Sequence, residues 1–137
     1  MPVIYSSGSG TGDDGYVAKT NQTSWANARD ATSGSAVSVI GSGASSFTNA
    51  SRGAARGGGI SYSVNRSFMV FDTSSITATV ASATLSIYGN SSNTGSVIAV
   101  KSTAFGGDGG TALASGDFDA ILGWSAGSSL AGSATVY

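Results

Sequence analysis

Between Arg66 and Ile76 the sequence reads RSFMVFDTSSI, and four bulky apolar residues, Phe68, Met69, Val70 and Phe71, stand side by side in it. About half of the 137 residues are glycine, serine or alanine, with only five Phe, five Tyr and two Trp. A chain this sparing with large side chains must place its core where they cluster. Residues 61–72 alternate Tyr62, Val64, Arg66, Phe68 and Val70 against Ser63, Asn65, Ser67, Met69 and Phe71. One face is polar at entry and both are apolar at exit, which predicts a central strand doubly buried at its end. Arg66, Phe68, Val70, Phe71 and Asp72 are therefore expected to be structural, with the Arg66 guanidinium forked against Asp72 or a carbonyl-rich loop.

The same period of two recurs along the chain. Val3–Tyr5, Gly15–Thr20, Ala36–Ile40, Ser96–Thr103 and Gly132–Tyr137 read as strands, and in ASATLSIYGN Ala83, Leu85 and Ile87 alternate with Ser82, Thr84, Ser86 and Tyr88. Leu85 and Ile87 are expected on the core side of a half-exposed antiparallel strand. Residues 41–59 read as one long Gly/Ser/Ala/Arg loop. SWANARDAT fits a strand with Trp25, Asn27 and Arg29 on one face slightly better than a short helix started by Ser24. The segment ASGDFDAILGW is the one helical piece expected, with Ser115 able to cap and Asp117 at the positive end of the helix dipole.

These elements predict an all-β fold, an antiparallel jelly-roll β-sandwich with long Gly/Ser-rich loops and at most one short helix. No second composition zone divides residues 1–137, so a single domain is expected. Strands of a sandwich need neighbours, and SATVY at the end has none downstream. Either an edge is left open, which proteins usually avoid, or the remaining strands come from further sequence or from a neighbouring subunit.

Charge and residue types narrow the function. Acidic and basic residues make up 9% of the chain and nearly cancel, at a net charge of −1. No field steers the protein to nucleic acid or an anionic membrane, and Arg52 and Arg56 lack interleaved aromatics. No segment approaches the roughly 18 apolar residues of a membrane span. There is no cysteine for a disulfide or thiolate site, and no histidine, the commonest general base. Asp13, Asp14, Asp117 and Asp119 are the candidate carboxylates. Neither pair has the spacing of a calcium loop, and adjacency in sequence does not supply the separation across a cleft that glycoside hydrolysis needs. Turn and cap roles account for them, so no catalytic residue, metal or cofactor is expected. Trp25, Tyr62, Tyr88 and Trp124 are the residues suited to stacking on a sugar ring.

Arg66, the apolar run ending Phe71-Asp72, the TSSI turn and the following SATLSIY together resemble the central block of DNRLRE-type domains. DDGYVAKTNQTSW and ALASGDFDAILG are similar to segments of a related group found in phage and environmental viral proteins. The resemblance implies a jelly-roll sandwich related to carbohydrate-binding modules, used for binding or structure and not for catalysis. The chain departs from that pattern by lacking the usual Ser-Trp-x-Thr-Gly-Tyr stretch. A Ser/Thr/Gly-rich, charge-poor surface suits a protein working outside cells, while MPVIYSSGSG has neither the basic start nor the apolar core of a secretory signal. A virion component meets both conditions: made in a host cytoplasm, it then acts by contacts with other virion proteins or copies of itself, and at a cell-surface glycan. The rival expectation is a carbohydrate-binding or adhesive module of a secreted bacterial protein.

Overall fold

The computed structural model of the chain describes residues 4, 14–40, 48–87, 97–107 and 111–124. Strands β1 (Asp14–Gln22), β2 (Ala36–Ile40), β3 (Asn49–Ala54) and β4 (Ile60–Phe68) form one antiparallel sheet in the order β2-β1-β4-β3. Val17 lies opposite Val37 on one side and Arg66 on the other, while Gly15 lies opposite Val39 and Phe68. These residues share one face. Tyr16, Ser38 and Ser67 share the other, together with Ala18, Asn65 and Asn49. A slip of one residue would carry Val17 and Phe68 to the polar side, so the apolar alternation fixes the pairing.

The first face carries the core. Val17, Val64 and Phe68 from the sheet meet Ala28 of the helix α1 (Trp25–Arg29), and Phe105, Leu113 and Phe118 from the later chain. Phe68 meets Phe105 edge to face, with ring centroids 6.4 Å apart and planes at 84°, the geometry that the ring quadrupoles favour. Phe118 sits in a 3-10 turn (Ser115–Asp119), where the Asp117 carboxylate accepts the Ala114 N–H at 2.8 Å and closes the first turn. Gly15 belongs to this assembly because of what it lacks. A Cβ there would stand 2.2 Å from the Ser38 carbonyl oxygen and 3.0 Å from Leu113 Cδ2.

Several expectations are corrected. Within SWANARDAT, Trp25–Arg29 is helical, because Ser24 Oγ accepts the Asn27 N–H at 3.1 Å and Ala28 is fully buried in the core, a cap and an anchor that a strand would forfeit. The expected loop 41–59 contains β3, whose residues are all exposed but find a ladder along β4. Gly57, Gly58 and Gly59, at φ 87°, 85° and 114°, make the turn between the two.

The central strand ends at Phe68. The Val70 N–H is taken by Asp14 Oδ1 at 3.0 Å, which draws the chain off the sheet. Val70 is half-buried against the core, whereas Met69 and Phe71 are 40% and 38% exposed. The doubly buried reading therefore fails at Phe71. Residues 82–87 form no strand, and Leu85 and Ile87 are exposed. Pairing beside β4 is closed to the segment that follows it, because β4 has β1 on one side and β3 on the other. Residues 97–103 likewise form no strand beyond bridge contacts, one of which joins Ser102 to Ile121.

The fold is thus mostly strand, with one α-helix and one open four-stranded antiparallel sheet among the described residues. The layer facing that sheet is helix, 3-10 turn and irregular chain, without a second sheet among the described residues. The strands expected at Val3–Tyr5 and Gly132–Tyr137 lie outside the described residues, apart from Ile4.

Candidate functional site

Arg66 stands on the core face of β4, opposite Val17. Its Nη2 donates to the Arg29 carbonyl at 2.7 Å and its Nη1 to the Phe118 carbonyl. The guanidinium lies over the Phe118 ring at 4.1 Å and the Trp124 ring at 4.6 Å. One planar cation therefore joins the sheet, the end of α1 and the Ser115–Asp119 turn. Burial lowers its pKa to about 10, against the opposing pull of the Asp119 and Asp30 carboxylates. It is still charged at neutral pH. Asp30 is held in turn by Arg29, through Nε to Oδ1 at 2.5 Å and Nη2 to Oδ2 at 2.7 Å.

The fork expected of Arg66 thus closes on carbonyls from two elements. Asp72 is engaged elsewhere: its Oδ1 accepts the Ser74 N–H at 2.9 Å and the Ile76 N–H reaches the Thr73 carbonyl at 2.9 Å, giving the turn that DTSSI suggested. Hydrogen bonding from Ser74 holds the Asp72 carboxyl below its ordinary pKa.

The stacking candidates are in different surroundings. Trp25 opens α1 and is 40% exposed. Tyr62 is half-buried on the core face, opposite Arg52 and Gln22. Trp124 is half-buried with its ring against Arg66. Tyr88 lies outside the described residues. Arg66 gathers Trp124 into the core assembly, and Trp25 is the most open of the three described rings.

A cleft of about 610 Å³ opens at one end of the sheet, between the β1 bulge and the β3–β4 turn, lined by Asn21, Gln22, Arg56, Ile60 and Ser61 among others. Asn21 adopts φ 57° where the β1–β4 register shifts, a conformation asparagine tolerates. Gln22 also borders a second hollow of about 440 Å³ beside α1, with Lys19, Asn27 and Asp30. Amides and hydroxyls in these clefts can hydrogen-bond a polar ligand. Sequence reasoning missed them, because they are made where the β1 bulge meets the β3–β4 turn and α1, and no periodic pattern marks such a meeting. Among the described residues no group of three or more potential ligands could hold a metal ion, and no helix is long and apolar enough to cross a membrane.

The most distinctive surface is apolar. Met69, Phe71, Val80, Leu85 and Ile87 are exposed along the segment that leaves the sheet, at 56%, 50% and 58% for the last three. Val37 and Val39, on the core face of the outer strand β2, are also exposed. Comparison of the chain with protein-family models, with curated proteins and with solved structures found no match.

Proposed function

We propose that this chain is a non-enzymatic structural protein that acts by assembly, as a head decoration, fibre or tail-surface component of a phage particle. The observation that carries the reading is the exposure of Val80, Leu85 and Ile87 on the same chain segment, residues 69–87, as the exposed Met69 and Phe71. Five large apolar side chains facing solvent along one chain segment, in a protein so short of them, mark a surface made to be covered. In the proposed particle a neighbouring protein covers it and completes a jelly-roll sandwich whose second sheet is not found among the described residues. The virion assignment itself rests on the charge-poor Ser/Thr/Gly composition and on the sequence resemblance described above.

Light scattering of the purified chain across a concentration series tests the assembly role. Oligomers are expected, and Leu85→Asp combined with Ile87→Asp should reduce them without loss of the β circular dichroism. A stable monomer that binds a glycan would overturn the proposal in favour of a carbohydrate-binding module. Capsid, portal or tail genes beside its gene are expected for the virion assignment, and polysaccharide-degradation genes there would overturn it.

A further inference from the structure

The sheet has two outer strands, and they differ in kind. β3 carries Arg52 and Gly53 and is exposed throughout; a charge is a device by which edge strands avoid pairing, and a glycine weakens a strand. β2 reads Ala-Val-Ser-Val-Ile, with neither charge nor proline nor glycine. Among the described residues no strand lies on its outer side. Val37 and Val39 are 37% and 48% exposed although they share the face that bears the core.

The order of residues in β2 says what fits against it. The segment is nearly symmetric about Ser38. An antiparallel copy placed across a twofold axis at Ser38 sets Val37 opposite Val39 of the second copy, Val39 opposite its Val37, and Ala36 opposite its Ile40. An axis perpendicular to the sheet keeps the same face uppermost in both copies. The four valines then meet on one side as directly opposed pairs, with Cβ atoms about 4.5–5.5 Å apart, and extend the core face across the axis. An arbitrary strand would match these positions only by chance, whereas a second copy matches by symmetry.

We infer that β2 is the self-association edge of this protein, pairing with β2 of a second copy about a twofold axis at Ser38 to make a continuous eight-stranded sheet. The inference rests on the assembly role proposed above and names its first step. A twofold contact closes on itself, which leaves the Val80–Ile87 surface to join such dimers to each other or to a shell.

The chain has no cysteine, so a single introduced thiol reports on this contact alone. Opposed Cα atoms across an antiparallel pair lie about 4.5–5.5 Å apart, within the range a disulfide spans. Under mild oxidation Ser38→Cys should form a covalent dimer on a non-reducing gel, while Ser51→Cys on the β3 edge should remain largely uncrosslinked. Val39→Lys should raise the dimer dissociation constant more than tenfold in sedimentation, with an unchanged circular dichroism spectrum. An oligomeric wild type whose Ser38→Cys variant does not crosslink, or whose Val39→Lys variant associates as before, overturns the β2 contact and leaves the assembly role standing. A wild type that stays monomeric at every concentration overturns both.

Discussion

Replacing Arg66 should destabilise the fold by loosening three elements at once. Its two donations to the Arg29 and Phe118 carbonyls are charge-assisted and contribute roughly 1.5–3 kcal/mol each. Its contacts with the Phe118 and Trp124 rings add about 0.5–2 kcal/mol each. Against these stands the cost of keeping the cation out of water. The fall in its pKa to about 10 corresponds to roughly 2–3 kcal/mol once partial exposure is allowed for. The balance runs from about 1 to about 8 kcal/mol in favour of the fold, against the roughly 5–15 kcal/mol that holds a domain together.

Arg66→Met is the informative variant, because it keeps a long side chain between the rings and removes both the charge and the donors. Urea unfolding followed by tryptophan fluorescence should show it about 2 kcal/mol less stable than wild type, since two carbonyls lose their partners. Arg66→Lys keeps the charge but not the planar fork, and should lose about 1–2 kcal/mol. The folded pKa lies below the unfolded value, so the cost of the buried charge is fully present at neutral pH and fades only as pH rises through about 10. The difference between Arg66→Met and wild type should therefore be flat from about pH 6 to 9. A Met variant as stable as wild type would show that desolvation outweighs the fork, as it does in some buried ion pairs, and would refute the reasoning.

Two further predictions follow from named contacts. Gly15→Ala should separate β1 from β2 or displace Leu113, given a Cβ 2.2 Å from the Ser38 carbonyl oxygen, at a cost of about 1–3 kcal/mol; hydrogen exchange should report faster opening of β2 than of β4. The Asp72 carboxylate has a lowered pKa in the folded state through its bonds with Ser74, so its contribution to the turn at residues 72–76 is present above about pH 4 and is lost as pH falls through the folded value. Proton NMR of the Ser74 amide during acid titration should show that loss, and Asp72→Asn should abolish the titration.

Arg66 shows how much of the candidate site was legible in the sequence. A lone arginine at the head of the most apolar stretch signalled a structural fork, but its acceptors, the carbonyls of Arg29 and Phe118, are 37 and 52 residues away. No local pattern encodes a main-chain acceptor at that separation. Trp124 was suited to a sugar ring by its residue type, and a guanidinium fills one side of it because the turn around Phe118 folds back onto β4. The clefts at Gln22 arise from a register shift, which depends on both strands together.

Alternation by itself determined that β1, β2 and β4 would be strands and that Tyr62, Val64, Arg66 and Phe68 of β4 would share a face, because successive side chains of a strand point to opposite sides. The scarcity of charge and the lack of cysteine and histidine remove whole classes of chemistry by composition alone. Tertiary structure decided the rest. β3 exists because β4 offers it a ladder, although all of its residues are exposed and none is a β-branched or aromatic strand former. Trp25–Arg29 is helical because Ala28 finds a place in the core. The chain after Phe68, as apolar in sequence as the strand before it, lies in the open, with pairing beside β4 closed to it because both sides were already taken. Local sequence sets what a segment can become, but its burial is set by which edges and faces its neighbours leave free.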